Sequence, residues 1–149
     1  MKGLNLPSYS TKVISKNGKE FIWDILRQKY LVITPEEWVR QHFVQMLINH
    51  YEYPSGLMAN EVPLTLNNTK RRCDTVVYDR SGNPVIIIEY KRTTVPLTQK
   101  VFDQISRYNI VMKVPYLFVS NGIRSIACSV DYENNKITFL YDIPKYSDL

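Results

Sequence analysis

The chain has 149 residues, 44% apolar and 22% charged, which suits one domain with its own core and leaves too little for two. No apolar run approaches membrane-spanning length and no signal-peptide pattern opens the chain, so a cytoplasmic protein without a membrane role is expected. The net charge of +5 permits a polyanionic partner without requiring one; Cys73 and Cys128 lack zinc-site spacing and read as reduced core residues.

In chain order, the first dozen residues are polar and contain Pro7, which predicts a loose arm. Lys12–Ser15 and Glu20–Asp24 flank Asn17-Gly18 and predict a small hairpin. Residues 25–33 are open between a short helix and an extended segment. Thr34-Pro35-Glu36-Glu37 is a helix start, with Thr34 as cap, Pro35 in the first turn and Glu37 closing a capping box. The helix is expected to run to about His50, with Val39, Phe43, Met46, Leu47 and His50 on its apolar stripe. Glu37 is either the capping acid alone or an acid leaning toward a metal; His42 and His50 read as packed helix residues rather than ligands.

Leu57–Leu66 predicts a strand, with Pro63 implying an edge or bulge; Glu61 is either a further acid near the site or, the preferred reading, an exposed strand glutamate. After a turn at Asn67-Asn68, Arg72–Asp79 and Pro84–Lys91 form a β-hairpin whose second strand is apolar from Val85 to Ile88. Period-two alternation puts Glu89 and Lys91 on one face, with Tyr90 on the other. A two-residue turn at Gly82-Asn83 would set Asp74 against Lys91 as an ordinary ion pair, but Pro84 lacks the N–H that such a turn uses. A four-residue loop, Arg80–Asn83, instead sets Asp79 opposite Pro84 and Asp74 opposite Glu89. Two carboxylates facing each other across a pair of strands repel, unless a divalent cation lies between them.

Arg92–Pro96 leads into a helix expected from about Leu97 to Met112, with Val101, Ile105, Tyr108 and Met112 on its packing face. Gln104 and Tyr108 share that face; Gln104 is either bonded to backbone or directed at a metal site or phosphate. Tyr116–Ser120 is a buried strand, Asn121-Gly122 a turn, and residues 123–132 and 136–142 a closing hairpin before a loose tail. The order predicts an α/β sandwich with a mixed central sheet flanked by helices, and a parallel crossover from Pro84 to Ser120.

Asp74 and Glu89 sharing a cation, with Lys91 two residues on, make a hydrolytic set suited to phosphodiesters. Mg²⁺ takes oxygen ligands and keeps several waters, which fits two carboxylates plus a substrate phosphate. Lys91 would stabilise charge developing on phosphorus. The basic residues Lys70, Arg71, Arg72, Arg92 and Lys100 flank these positions, either gripping phosphates or forming a solvated rim.

Asp74, then Glu89-Tyr90-Lys91 after three isoleucines, resembles the signature of the PD-(D/E)xK nuclease superfamily. Gln104-Ile105-Ser106-Arg107-Tyr108 is similar to the Q-x-x-x-Y motif of one of its branches. Residues 34–41, Arg72-Cys73-Asp74 and Ser120-Asn121-Gly122 most resemble the N-terminal nuclease domain of type I restriction enzyme R subunits. The resemblance spans residues 25–122 and implies a restriction-endonuclease-like fold: residues 1–24 as arm and hairpin, 25–122 as nuclease core, 123–149 as closing hairpin and tail. It implies Asp74 and Glu89 as ligands of Mg²⁺, with Mn²⁺ able to substitute, and Lys91 as the catalytic lysine. It further implies that Gln104 and Tyr108 support the site or contact DNA, and that Glu37 is a helix acid near the metal. The sequence has no Gly-x-x-x-x-Gly-Lys-Ser/Thr loop, so ATP hydrolysis of that kind is not expected of it. A helicase, translocase or restriction-modification subunit in trans is a possible partner, as is a second copy of the chain. The expectation is a DNA endonuclease domain; the alternatives are a DNA-binding or assembly module of the same fold that does not cut, and an unrelated basic α/β domain with an Asp74–Lys91 ion pair.

Overall fold

In the computed structural model, which describes residues 3–149, Asn17 and Gly18 take φ of 54° and 76°, the left-handed pair that a two-residue hairpin turn needs. They join β1 (Val13–Lys16) to β2 (Lys19–Asp24), with Lys16 opposite Lys19. Residues 25–33 resolve as a turn followed by β3 (Lys29–Val32), and the three strands form an antiparallel sheet in the order β1-β2-β3.

Helix α1 (Pro35–Tyr51) begins where Thr34 and Pro35 predict, the Thr34 hydroxyl accepting the Glu37 N–H at 3.0 Å. The capping box does not close. The Glu37 carboxylate is taken by Arg27, Arg40 and Gln41, so it does not turn back to the cap. Val39, Phe43, Met46 and Leu47 are buried as expected, but His50 is exposed because the last turn meets the core through Ile48 and Tyr51. His42 is packed, with its ring centroid 4.9 Å from that of Tyr9 and 4.5 Å from that of Trp38.

The second sheet runs β4 (Met58–Leu66), β5 (Thr69–Tyr78), β6 (Pro84–Tyr90), β7 (Tyr116–Ser120), β8 (Ser125–Asp131), β9 (Lys136–Phe139), in that spatial order. Pro63 is tolerated because β4 is an edge strand. Strands β6 and β7 are parallel, joined through helix α2 (Gln99–Ile110), while the other neighbours are antiparallel. Alternation along β6 separates two cores. Ile86 and Ile88 pack with Phe43, Leu47 and Phe118 under α1; Ile87 packs with Phe102, Ile105 and Val119 under α2. This is the restriction-endonuclease-like α/β sandwich with a mixed sheet that the sequence predicts. Among the described residues, no helix is long and apolar enough to cross a membrane.

The described part of the N-terminal arm and the C-terminal tail are both held, contrary to the loose segments expected; residues 1 and 2 of the arm lie outside the described residues. Leu4 and Leu6 pack on the α1-side core, and the Asn5 N–H bonds the Gly122 carbonyl at 2.7 Å. At the other end, the Tyr53 hydroxyl donates to the Pro144 carbonyl and the Tyr146 hydroxyl to the Tyr78 carbonyl, each at 2.9 Å. Apolar residues within a polar stretch anchored both segments. Gly122 sits under the arm at φ 85°, where an added Cβ would stand 2.8 Å from Leu4 Cδ2. Leu4 can swing aside, but the buried Val39 Cγ2 at 3.1 Å must also give, so Gly122→Ala is expected to cost at least the backbone penalty of about 1–2 kcal/mol. A urea midpoint lowered at unchanged m-value would show it.

Candidate active site

The register of the central hairpin decides which side chains meet. Thr75, Val76 and Val77 face Ile88, Ile87 and Ile86, so one further step sets Asp74 opposite Glu89. The turn differs from the four-residue loop expected. Tyr78, not Asp79, faces Pro84; residues 79–83 form the loop, closed by an Asp79 N–H to Asn83 carbonyl bond of 2.8 Å. The Asp79 carboxylate draws this loop tight by accepting the N–H groups of Ser81 and Asn83, both at 2.9 Å. The pairing then shifts by one at Val85, which restores the register that a four-residue loop would have given.

Asp74 is fixed from two sides. Its Oδ2 accepts the Tyr90 N–H at 2.9 Å, and its backbone carbonyl accepts Arg40 Nη1 at 3.2 Å. Glu89 is less well served. Its Oε1 is buried with no hydrogen-bond partner among the described residues. Burial pushes the Glu89 carboxyl well above the usual range, and the charge of Asp74 and a hydrogen bond with it add to the effect, against the pull of Lys91. Lys91, half-buried, bonds the Ser120 carbonyl through its backbone N–H at 2.9 Å. Among the described residues its ammonium has no carboxylate within 4.0 Å, so the ordinary Asp74–Lys91 ion pair is not formed.

Glu89 and Lys91 open into a cleft of about 470 Å³ between β6 and α2, lined also by Gln104, Tyr108 and Asn109. Thr98 caps α2 by accepting the Val101 N–H at 3.2 Å. Ile105 and Met112 are buried as expected, but the packing face of this helix runs through Phe102 and Asn109 in place of Val101 and Tyr108. Gln104 is therefore exposed to the cleft rather than set among core residues. Tyr108 is 51% exposed, its ring centroid 3.7 Å from the Arg71 guanidinium carbon, and its carbonyl accepts Arg71 Nε at 2.9 Å. The buried amide is Asn109, unnoticed in the sequence. Its Nδ2 donates to the Ile105 carbonyl at 2.9 Å, while its Oδ1 is buried without a partner among the described residues. Spacing of four from Ile105 was the signal that could have found it.

Glu37 lies on the other side of the sheet's end, in a chain of alternating charge. Its carboxylate is 2.6 Å from Arg40 and 3.0 Å from Arg27; Arg40 also reaches Glu61 at 2.6 Å, and Glu61 reaches Arg72 at 2.7 Å. Arg27 pairs in addition with buried Asp24. Burial alone would raise the Glu37 and Asp24 carboxyls; the arginine bonds, with Gln41 and Asn60, outweigh it and hold both below the usual carboxylate range. Arg40 is what connects Glu37 to the hairpin, through the Asp74 carbonyl. On the same side, the Asn60 amide donates to Asp24 at 3.0 Å and accepts the Thr75 hydroxyl at 2.7 Å; that hydroxyl lies 3.0 Å from the Tyr90 hydroxyl. Of the basic candidates, Arg72 is spent partly on Glu61, and Arg92 and Lys100 are exposed outside the cleft lining.

No group of three His, Cys, Asp or Glu side chains gathers for a metal among the described residues, so an ion here would have the two carboxylates of Asp74 and Glu89 as its protein donors. Two carboxylates suit Mg²⁺, which keeps waters and shares its sphere with a phosphate. The unpartnered Glu89 oxygen is a donor that a cation would satisfy.

No curated protein matches the chain. The family described as type I restriction enzyme R protein N terminus (HSDR_N) matches residues 35–144, a stretch that contains both helices and the whole six-stranded sheet. The chain belongs to that family.

Proposed function

We propose that this domain is a metal-dependent endonuclease that hydrolyses phosphodiester bonds in DNA. The observation that carries the reading is the buried, unpartnered Glu89 carboxylate oxygen opposite Asp74, beside an unpaired Lys91 at the cleft. Asp74 and Glu89 would hold Mg²⁺, or Mn²⁺ in its place. When bound, such an ion supplies Lewis acidity toward a phosphate oxygen and acidifies a water. Lys91 neutralises the charge that grows on the phosphate as the bond breaks. Gln104 offers its amide to a phosphate oxygen from the α2 side. Tyr108 and Arg71 form the rim, with Arg72, Arg92 and Lys100 as phosphate contacts beyond it. Glu37 serves the site by holding Arg40 against Asp74, rather than as a ligand. One such site cuts one strand, so a double-strand break takes a second copy or a second visit, and membership of the restriction family points to restriction-modification subunits as partners in trans.

The test is plasmid nicking by purified protein in Mg²⁺, Mn²⁺ or EDTA. Lys91→Ala is expected to lower the rate by about 10²–10³-fold, the size of losing a charge-stabilising donor. Asp74→Ala should lose metal-supported cutting altogether. Mutants that nick as fast as the wild type would place the chemistry elsewhere, and metal binding without nicking would favour a module that binds DNA and does not cut.

A further inference from the structure

Strands pair so that directly opposite residues share a face. In the N-terminal sheet Ile14, Phe21 and Val32 are opposite one another, as are Lys16 with Lys19 and Trp23 with Tyr30. The Trp23 N–H bonds the Lys12 carbonyl at 2.9 Å, and the Lys12 ammonium lies 6.0 Å from the Trp23 ring, which puts Lys12 on this face too. The other face carries Glu20, Ile22 and Asp24, and its centre turns inward: Ile22 and Asp24 are fully buried. The outer face therefore holds three lysines, three aromatic rings and two branched aliphatics, and neither Asp nor Glu.

Its apolar groups are not absorbed into either core. Ile14, Tyr30 and Val32 are 42%, 38% and 44% exposed, Phe21 and Trp23 are half-buried, and the rings of Trp23 and Tyr30 meet edge-on at 5.1 Å. Lys12, Lys16 and Lys19 are exposed around them and form no ion pair among the described residues. This sheet lies outside residues 35–144, so the family match assigns it nothing.

We propose that the outer face of the β1-β2-β3 sheet is a platform for single-stranded DNA, with Trp23, Tyr30 and Phe21 stacking on bases and Lys12, Lys16 and Lys19 meeting the phosphates. Charge complementarity selects the occupant: a face of one sign calls for a polyanion, and the exposed Tyr30 ring beside the half-buried Trp23 and Phe21 calls for one whose bases are not already stacked in a duplex. Three short strands offer room for about two or three bases, the span that comparable sheet platforms cover. The site is separate from the cleft and needs no cleavage, so it stands or falls apart from the nuclease reading.

The experiment is fluorescence anisotropy of labelled oligo-dT with the whole chain, in EDTA so that nothing is cut. The wild type should bind with an affinity that falls steeply with salt. Lys12→Glu/Lys16→Glu/Lys19→Glu should bind about tenfold more weakly or worse, and Tyr30→Ala several-fold more weakly, in line with losing one stacking ring. Arg80→Glu/Lys136→Glu/Lys145→Glu removes the same charge from exposed positions elsewhere and should bind as the wild type does. Equal binding by both triple variants, or no oligo-dT binding by the wild type, overturns the proposal and leaves a protein as the partner of this face. Binding of oligo-rU with no binding of oligo-dT also overturns it, in favour of RNA.

Discussion

Glu89→Gln should make the metal-free protein more stable and at the same time blind to Mg²⁺ and Mn²⁺. Glu89 titrates well above the ordinary glutamate value of 4.5, because burial and the facing Asp74 carboxylate favour its protonated form. A carboxyl raised in this way has a definite sign. Between the unfolded and folded values the native state holds a proton that the unfolded chain releases, so stability falls as pH rises from 4.5 toward the raised value, about 9. The amide is neutral at every pH and removes that loss. At about pH 8 the variant should gain on the order of 1 kcal/mol or more, roughly 2–4 °C in Tm for each kcal/mol. Added divalent ion should stabilise the wild type, by about 2.7 kcal/mol at a hundred times its Kd, and leave the variant unmoved. Thermal melts with and without metal across mild acid to mild alkali would read both effects. A variant that still melts higher with Mg²⁺ would move the metal away from Glu89, and one that melts lower than the wild type in EDTA would mean that the Asp74–Glu89 contact is not the repulsive one described.

Local chemistry made much of this structure readable in advance. Asn17-Gly18 can be little else than a tight turn, Thr34-Pro35 opens a helix, and the isoleucine run of β6 belongs to a strand buried on both faces. The meeting of Asp74 and Glu89 was readable because Pro84 lacks the N–H of the shorter turn, yet the path to it was misjudged. A longer loop and a one-residue shift at Val85 cancel, and no local signal gives either one alone. On α2 the choice of stripe hinged on one position: Val101 and Tyr108 look as apolar as Phe102, and only tertiary packing puts Phe102 and Asn109 inward. The charged chain was invisible for a different reason. Glu37 and Arg40 have ordinary helix spacing, but the partners that matter, Asp24, Arg27, Asn60, Glu61 and Thr75, come from elements far apart in sequence, and pairing between them has no period. The anchored termini escaped notice because composition averages away the few residues, Leu4, Leu6 and Tyr146, that hold them.

Arg40→Ala should be the most damaging substitution outside the apolar cores, and its damage should depend on pH in a direction opposite to the first case. Arg40 is 8% exposed and bonds both oxygens of Glu37, at 2.6 and 2.9 Å, then Glu61 at 2.6 Å and the Asp74 carbonyl at 3.2 Å. Removing one member of a buried ion pair leaves the other desolvated, at a cost of about 3–5 kcal/mol, which for a chain of this size corresponds to roughly 10 °C or more in Tm. In the wild type, burial raises the Glu37 carboxyl but the Arg40 bonds win and hold it low. Its contribution is thus present above the ordinary glutamate value and lost as pH falls through the folded one. Without Arg40 the effect of burial is opposed only by Arg27 and Gln41, the carboxyl rises, and protonation becomes the relief. The deficit of the variant should therefore be widest near neutrality and narrow in mild acid. Urea midpoints of both proteins at about pH 7 and about pH 4.5 would measure this. Adding Glu37→Gln to Arg40→Ala should restore part of the loss, because the stranded charge disappears with it. A deficit that stays constant with pH and is not relieved by Glu37→Gln would mean that Arg40 acts by packing alone. The same variant bears on the site: Asp74 loses the donor that fixes its carbonyl, so metal should raise the melting temperature of Arg40→Ala less than that of the wild type.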